Sequence, residues 1–349
     1  MRAFLATRKG LFLLNRRRDG WHLDEPRFLG VNVTAALWDT RDNAVWAALA
    51  HGHWGPKLHR SADGGATFAE TACPAFPADT GGAAVRRIDC LATGHDGRFF
   101  AGAAPGALFE SRDAGTTWSL DRALWQRRLD DSWAPGGGGL MLHSVEPHPA
   151  DPDRWHIAVS CGGVYETANG GESWRPRNRG VRADFLPESR PESGQDPYRL
   201  QRHPAAPDVL WQSNHCGLYR SVDGGASWID RSHNMRLPFS FALALDPADP
   251  NAAWTAPISS DACRVAPDGA LVVCHTRDGG ESWSELRDGL PQQHCYDIVF
   301  RHALAASHDI VLFGTNTGSV YALRRNTPGW ETVATHLPPV VAVGLCDVD

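Results

Sequence analysis

The chain has 349 residues, of which 42% are hydrophobic and 21% charged, and its formal net charge is −6. A mean hydropathy of −0.35 without any long apolar run excludes a membrane span, and the acidic balance argues against a nucleic-acid-binding surface. The eight cysteines form no CxxC pair or zinc-finger spacing, and the N-terminus has no apolar stretch typical of an export signal. We therefore expect a cytoplasmic protein with reduced thiols.

The first predicted unit, residues 3–25, is a strand, a tight turn and a second strand ahead of Trp21. It lacks a first strand of its own. At the other end of the chain, residues 339–348 (PVVAVGLCDV) predict a strand with no partner after it. We predict that this C-terminal strand is the missing innermost strand of the N-terminal unit. Closing a ring in this way removes exposed sheet edges.

Five closely similar nine-residue segments follow the first unit along the chain, at intervals of about fifty residues. They read RSADGGATF at 60–68, ESRDAGTTW at 110–118, ETANGGESW at 166–174, RSVDGGASW at 220–228 and HTRDGGESW at 275–283. The Asp or Asn can accept backbone N–H groups of its own turn, and glycine accepts a positive φ. Each segment therefore predicts a tight turn, followed by an aromatic ring to be buried between strands or blades.

Each repeating unit has a Pro-rich turn, a short apolar strand, a Gly corner, a strand that ends in the repeated turn, and a strand that starts at the aromatic residue. Four short strands per unit are typical of a propeller blade. A sixth unit with a decayed turn spans 310–334. The sequence thus predicts an all-β, seven-bladed β-propeller as a single domain over residues 1–349. Strand direction puts the repeated turns on a lower face and the remaining loops on an upper face.

The repeated segments resemble the Asp-box, or BNR, repeat of sialidases, xyloglucan-active glycoside hydrolases, sortilin-type receptors and the photosystem II assembly factor. The boxes that carry this resemblance are Ser61–Phe68, Ser111–Trp118, Thr167–Trp174, Ser221–Trp228 and Thr276–Trp283. The whole chain is also similar to bacterial cytosolic proteins labelled sialidase-like or glycosyl-hydrolase-like, through TRKG at residues 7–10 and NHCG at residues 214–217.

This resemblance implies a propeller fold. It does not imply sialidase activity, because the Arg-Ile-Pro segment usual in the first blade of sialidases is absent here.

Irregular positions on the predicted upper face indicate where a site lies. The corner between the second and third strands is occupied, blade by blade, by Arg8, Pro105, Cys161, His215 and Thr317. Two blades carry insertions at this corner, at 50–57 and 258–269, and two loops that enter a first strand are long, at 124–139 and 181–197. Long loops on a rigid scaffold usually carry binding residues. We therefore expect a polar site at the upper channel mouth.

His51 and His53 suggest a metal site within the first insertion. Residues i and i+2 of an extended chain point the same way, so the pair could hold one divalent metal ion. His215 would join from across the mouth, with a carboxylate such as Asp261 completing the set of ligands. The alternative is that both are exposed loop histidines that bond only their neighbours, because an HxH pair alone is a weak motif.

Carboxylates on the charged loops are the candidate catalytic groups. Glycoside hydrolysis requires two carboxylates that face one bond. We select Asp131, Glu188 and Asp261 as catalytic candidates. The alternative for each is a solvated surface charge.

Four further loop residues are candidates for substrate binding, together with His215. Arg8 and Arg190 could bind an acidic group, and the indole rings of Trp54 and Trp133 could stack on a sugar or an aromatic ligand. The alternatives are exposed loop arginines and rings that cap their own loops.

The positions of three aromatic or imidazole rings and two cysteines in the blades indicate structural roles for these residues. His143 is equivalent to Tyr198 and Phe241 in the next two blades, and a ring at one place in three blades favours packing. Cys161 and Cys216 are predicted as small buried residues, because a nucleophilic thiol needs a base beside it.

These residues favour a hydrolase or lyase that acts on a small polar or carbohydrate-like substrate at the upper channel mouth, metal-assisted if the histidines bind a divalent ion. The alternative is a non-catalytic binding or assembly scaffold like the photosystem II assembly factor. The expected partner is accordingly a small polar or sugar-like ligand, or a protein. Neither nucleic acid nor membrane is expected.

Overall fold

The computed structural model describes residues 1–325 and 327–346, and their strands form seven four-stranded antiparallel sheets arranged as a β-propeller. The fold class predicted from the sequence is confirmed. Blade 1 contains β1 (Arg2–Thr7), β2 (Gly10–Arg17) and β3 (Gly20–Leu23). Blade 2 contains β4 (Asn32–Asp39), β5 (Ala44–His51), β6 (Gly55–Ser61) and β7 (Ala69–Thr71). Blade 3 contains β8 (Arg87–Thr93), β9 (Phe99–Ala104), β10 (Ala107–Ser111) and β11 (Ser119–Leu120).

The later blades repeat this order. Blade 4 contains β12 (Leu142–Pro147), β13 (Trp155–Val159), β14 (Gly163–Thr167) and β15 (Arg175–Pro176). Blade 5 contains β16 (Pro197–Arg202), β17 (Leu210–Asn214), β18 (Gly217–Ser221) and β19 (Ile229–Asp230). Blade 6 contains β20 (Ser240–Asp246), β21 (Asp249–Pro257), β22 (Val273–Thr276) and β23 (Ser284–Leu286). Blade 7 contains β24 (Leu304–Ala306), β25 (Ile310–Gly314), β26 (Val320–Arg324) and β27 (Glu331–Ala334).

The last strand, β28 (Val340–Cys346), belongs to blade 1 and closes the ring. It pairs antiparallel with β1, from Arg2 opposite Cys346 to Thr7 opposite Val340. The predicted closure by the C-terminal strand is therefore confirmed. Residues 347–348 of the predicted strand lie outside the described residues. Closure leaves Gly344 directly against Phe4, where a Cβ atom would lie 2.2 Å from a ring carbon.

The repeated turns share one set of hydrogen bonds. In blade 5 the Ser221 hydroxyl donates to Asp223 at 2.7 Å and accepts the N–H of Gly225 at 2.9 Å. The Asp223 carboxylate also accepts the N–H and the hydroxyl of Ser227, at 2.9 and 2.6 Å. The same hydroxyl–carboxylate bond recurs at Asp63, Asp113 and Asp278. The repeated residues therefore specify the geometry of a turn on the lower face, where the third strand of the blade ends.

The tryptophans that follow the turns of blades 3, 5 and 6 link these blades to the preceding ones. The indole N–H of Trp228 donates to the carbonyl oxygen of Arg177 at 2.8 Å, and that of Trp283 donates to Arg231 at 2.8 Å. Trp118 reaches the Ala72 carbonyl in the same way. Burial of these rings between blades explains why the aromatic residue follows the turn in every repeat.

Helical structure is confined to short segments. Helix α1 (Arg122–Asp130) follows β11 on the upper face, and its N-cap Asp121 accepts the N–H of Leu124 at 2.8 Å. It occupies the first half of the predicted long loop 124–139. Within the described ranges, no helix is both long enough and apolar enough to cross a membrane.

Candidate functional site

The innermost strands of blades 1 to 6 each have a β-bulge near the upper end. Their pairing registers skip one residue in five blades and two residues in blade 6. The skipped residues are Val341, Thr34, Asp89, His143, Tyr198 and the pair Phe241–Ala242. A bulge re-aims a side chain and is over-represented beside functional sites. Six blades thus direct an extra residue toward the upper end of the channel.

Two of these bulges contribute to a cavity of about 550 Å³ between blades 4, 5 and 6, which we call the upper cavity. Its wall includes the glycine run 136–139 and the bulged rings of Tyr198 and Phe241. The other polar side chains around it are Asp196, His215, Asp261, Arg264 and Arg301. The irregular loops and corners of the upper face therefore converge on one polar cavity.

His215 lies at the centre of the hydrogen-bonding groups in this cavity. The hydroxyl oxygen of Tyr198 lies 2.7 Å from Nδ1 of His215, and Oδ2 of Asp196 lies 3.7 Å from the same nitrogen. The Asp196 carboxylate is itself held by the N–H of Cys161, which donates to Oδ1 at 3.1 Å. The rings of Phe185 and Phe239 pack edge-on against the imidazole, with centroids 4.8 and 5.7 Å away. The imidazole is therefore oriented from several sides.

The charges around His215 favour its protonated form. The Asp196 carboxylate raises the pKa of His215, with a smaller contribution from Asp261, against the opposing effect of burial. Burial raises the pKa of Tyr198, so its hydroxyl keeps its proton. With Nδ1 occupied by Tyr198, Nε2 is the ring nitrogen left to exchange a proton with a ligand. No described residue lies within hydrogen-bonding distance of Nε2.

Two arginines add positive charge to the cavity. Arg264 forms an exposed ion pair with Asp261, and its guanidinium lies 5.3 Å from the ring centre of Phe241. Arg301 is half-buried and donates from Nη1 to the Ser160 hydroxyl at 3.3 Å. The cavity thus combines a proton-transfer group, two carboxylates and two cations, the set of groups that acid–base chemistry on a polar substrate requires.

Among the catalytic residues predicted from the sequence, Asp261 lies beside His215 in the upper cavity, whereas Asp131 does not. Asp131 caps the end of α1, and its carboxylate accepts the Tyr165 hydroxyl at 2.6 Å. The prediction that Trp133 stacks on a ligand is wrong, because its side chain is only 7% exposed. Its indole N–H donates to the same Tyr165 oxygen at 2.8 Å. Asp131 and Trp133 anchor the loop after α1.

Glu188 and Arg190 are exposed on the loop between blades 4 and 5, outside the residues that line the upper cavity. From the same loop, Phe185 and Asp196 do line the cavity wall. The charge-rich part of this loop is exposed to solvent. The predicted roles of Glu188 in catalysis and Arg190 in binding therefore have no geometric basis.

Arg8 and Trp54 lie on the upper face at different places. Arg8 lines the channel mouth next to the upper cavity, with its guanidinium 5.8 Å from the ring centre of Phe300. Trp54 is 77% exposed on the corner between β5 and β6, apart from both openings. Of the substrate-binding candidates, His215 and Arg8 adjoin a cavity, and Trp54 is a surface ring.

The predicted metal site of His51, His53 and His215 is not assembled. Residues 1–325 and 327–346 contain no group of three or more His, Cys, Asp or Glu side chains that could hold a metal ion. His51 ends β5 in blade 2. It lies near His59 and Glu70 and contributes to lowering the pKa of both side chains. His53 is exposed in the following turn, while His215 belongs to blade 5. His215 is kept apart from His51 and His53 because it lies on a different blade.

The thiols near the cavity are poor nucleophiles. Burial raises the pKa of Cys161 to about 11 and also raises the pKa of Cys216. The thiol form therefore dominates at neutral pH. His143 is 1% exposed, and its Nε2 lies 2.9 Å from the Pro197 carbonyl oxygen, so its predicted packing role is confirmed.

Sequence reasoning missed Tyr198, Asp196 and Arg301 as site residues. Tyr198 does pack, at 5% exposure, but its hydroxyl also reaches His215. Its neighbour in sequence, Asp196, closes a loop already noted for its charge. Arg301 precedes β24 in a segment without a regular strand, where no periodic pattern indicates the direction of a side chain.

Comparison with known proteins identifies the fold only. No protein-family model and no curated protein matches the chain. Among solved structures it is similar to a GH74 enzyme of Niastella koreensis, with 14% identity and a TM-score of 0.63 over 95% of this chain and 51% of that one. The chain thus spans about half the length of that enzyme.

Two further structures match most of their own lengths. One is YCF48 bound to a D1 peptide, with 14% identity and a TM-score of 0.55 over 88% of this chain and 83% of that chain. The other is a 6-phosphogluconolactonase-like protein of Bacteroides uniformis, with 12% identity and a TM-score of 0.62 over 98% of both chains. At these identities the likeness shows a shared propeller fold, which carries many functions.

Proposed function

We propose that the upper cavity is the active site of a hydrolase or lyase that acts on a small polar or carbohydrate-like substrate. The observation that carries this proposal is that His215 is hydrogen-bonded to Tyr198 and lies 3.7 Å from the Asp196 carboxylate in a cavity of about 550 Å³. An oriented histidine with a carboxylate beside it is a recurrent arrangement for proton transfer. A cavity of this volume fits a small ligand.

In this proposal His215 moves the proton and its neighbours set its properties. Asp196 and Tyr198 hold Nδ1, so Nε2 gives a proton to a leaving group or takes one from an attacking water. Asp261, which lines the same cavity as His215, is the second carboxylate, which polarises water or stabilises developing positive charge. Positioned acid–base groups contribute on the order of 10² to 10⁴ in rate.

The similar solved structures include a GH74 enzyme and a 6-phosphogluconolactonase-like propeller, which supports an enzyme without selecting its substrate. A glycoside and a sugar lactone are both small polar substrates whose cleavage needs acid–base help. Both therefore belong in the first set of compounds to be tested.

A non-catalytic scaffold is the second candidate function. Leu29, Trp54 and Phe185 are exposed on separate loops of the upper face, at 71%, 77% and 42%, and each could contact a protein partner. The YCF48 structure contains a bound peptide, so a propeller of this type can bind a polypeptide. In this alternative the upper face binds a protein segment and His215 has no chemical role.

Turnover by wild-type protein and by His215→Gln separates the two functions. A panel of aryl glycosides and sugar lactones should include at least one compound that the wild type cleaves and that His215→Gln cleaves about a hundredfold more slowly. Asp268→Asn, an exposed carboxylate change elsewhere in blade 6, is the matched control and should keep full activity. Equal turnover by His215→Gln and the wild type would refute the assignment, and binding of a protein partner that depends on Trp54 and Phe185 would favour the scaffold.

A further inference from the structure

We infer that the channel mouth beside the upper cavity is an anion-binding site, so that the substrate of the proposed active site is a small organic anion. This inference deepens the proposed function, and it rests on that function only in treating the bound anion as a substrate. The anion site itself is argued independently, from the arginines around the channel.

The channel mouth is a cavity of about 480 Å³ at the upper end of the propeller axis. Its charged lining residues are Arg8, Arg87, Arg301 and Asp89. It adjoins the upper cavity, and Arg301 lines both spaces. A ligand bound to Arg301 therefore lies beside the cavity that contains His215.

Arg301 is a half-buried cation that forms no ion pair, although the carboxylates of Asp89 and Asp196 favour its charge from a longer distance. Across the described ranges no carboxylate lies within the 4 Å of an ion pair, and its hydrogen bond goes to the neutral Ser160 hydroxyl at 3.3 Å. Burial lowers the pKa of Arg301, which reflects the cost of holding its charge away from water. A charge held in this way is normally paired. An anionic ligand at the mouth would supply the missing partner.

The remaining charges at the mouth do not neutralise it. Asp89 pairs with Arg87 at 2.5 Å, and among the described residues Arg8 and Arg301 form no ion pair. Below the mouth, Arg199 donates to Nδ1 of His302 at 2.9 Å, and burial lowers the pKa of His302 so that this ring stays neutral. The chain as a whole has a net charge of −6, so the positive mouth does not follow from overall composition.

The shape of a guanidinium also explains why an arginine is suited to binding an anion at the channel mouth. A guanidinium presents several donors in a plane and matches the oxygens of a carboxylate or a phosphate. One group with this geometry, shared by two adjoining cavities, would fix one end of a ligand while the other end reaches His215.

Isothermal titration calorimetry with three probes tests this inference. Inorganic phosphate and gluconate are the anions, and sorbitol is a neutral polyol of nearly the same size as gluconate. We expect at least one anion to bind to the wild type and sorbitol to give no heat of binding. The tighter anion identifies a phosphate or a carboxylate as the preferred group.

Arginine variants then locate the binding. Arg301→Gln should weaken the binding of the anion about tenfold or more, and Arg8→Gln, at an exposed position, should weaken it severalfold. Arg18→Gln removes the same charge from the exposed turn between β2 and β3 on the lower face and should leave binding unchanged. If Arg301→Gln fails to fold, Arg8→Gln still provides the test.

The results distinguish this inference from the proposed function. Absence of binding by both anions, equal binding of sorbitol, or binding unaffected at both Arg8 and Arg301 would overturn the anion site, even if His215 proved essential for cleaving a neutral substrate. Conversely, anion binding that depends on Arg301, with no turnover that depends on His215, would retain the anion site and reject the enzyme.

Discussion

The hydroxyl of Tyr198 lies 2.7 Å from Nδ1 of His215 because a β-bulge in the innermost strand of blade 5 displaces the tyrosine from the regular pairing. The histidine belongs to the corner after the next strand of the same blade. The bulge in β16 thus positions Tyr198 to support His215, which follows the neighbouring strand β17. The expected properties of His215 follow from this arrangement and from Asp196 beside it.

The titration of His215 should depend on Asp196. We expect NMR titration of the wild type to give His215 a pKa above its ordinary value, because the Asp196 carboxylate stabilises the imidazolium. Asp196→Asn should lower that pKa. Glu188→Gln, which removes a carboxylate from the exposed part of the adjacent loop, should not change it. A His215 pKa unaffected by Asp196→Asn would contradict the assignment of the interaction.

The same interaction should make stability depend on pH in a defined direction. A histidine whose pKa is raised on folding stabilises the protein fully below its unfolded value, about 6.5, and this contribution is lost as the pH rises through the folded pKa. The difference in melting temperature between the wild type and His215→Gln should therefore be larger at pH 5.5 than at pH 8.5. A difference that grows with pH would have the wrong sign.

Asp131 should matter for stability and leave catalysis unaffected. Asp131→Asn weakens the hydrogen bond that the Tyr165 hydroxyl donates to the half-buried side chain at position 131. We expect this to lower the free energy of unfolding by about 1 to 3 kcal/mol. Asp130→Asn is the matched control, because Asp130 is exposed and bonds only Gln126. Urea denaturation measures the difference. A loss of turnover by Asp131→Asn without loss of stability would restore Asp131 as a catalytic candidate.

The repeated turns should titrate with their aspartates. The Ser282 hydroxyl and amide lower the pKa of Asp278 to about 2. This contribution to stability is present above the unfolded pKa near 4 and is lost as the pH falls through the folded value. The destabilisation caused by Asp278→Ala, measured as a melting temperature, should therefore shrink between pH 5 and pH 2.5.

Blade 4 provides a natural control for this prediction. Its turn has Asn169, whose side-chain oxygen accepts the N–H of Ser173 at 3.1 Å in place of a carboxylate. An amide does not titrate in this range, so the destabilisation caused by Asn169→Ala should stay constant between pH 5 and pH 2.5. The same pH trend in both variants would mean that the aspartate charge is not the cause.

The seam that closes the ring should be sensitive to added volume. Gly344→Ala places a Cβ atom 2.2 Å from the ring of Phe4, and overpacking of this kind costs about 1 to 3 kcal/mol in the free energy of unfolding. Gly137→Ala is the matched control, because no heavy atom lies within 4 Å of the corresponding Cβ position. Chemical denaturation of both variants provides the measurement. Equal stabilities would show that the seam is loosely packed.

The propeller could be predicted from the sequence because the residues that specify each of the five repeated turns are close together in the chain. Ser221, Asp223 and Gly225 lie within five consecutive residues, and their hydrogen bonds need no distant partner. His215 could be selected for the same reason, since it occupies a corner that aligns across the blades.

The rest of the site depends on relationships that are not local. The direction of Tyr198 results from a bulge, and strict alternation along a strand gives no indication of where one residue is skipped. The position of Arg301 depends on tertiary packing between blades 6 and 7, and the separation of His51 from His215 depends on the number of blades between them. Composition and short motifs do not contain this information.

The bulges have a consequence for how such a ring can change. A residue skipped by the pairing ladder has no partner on the neighbouring strand, so Val341, Thr34, Asp89, Tyr198 and Phe241 can be varied without breaking a cross-strand pair. His143 is best retained, because it is buried and bonds the Pro197 carbonyl. Val341, Thr34 and Asp89 line the channel mouth, whereas Tyr198 and Phe241 line the upper cavity beside it. The five residues come from five separate blades. The scaffold is therefore suited to combinatorial mutagenesis, in which five codons are varied together to select new ligand preferences.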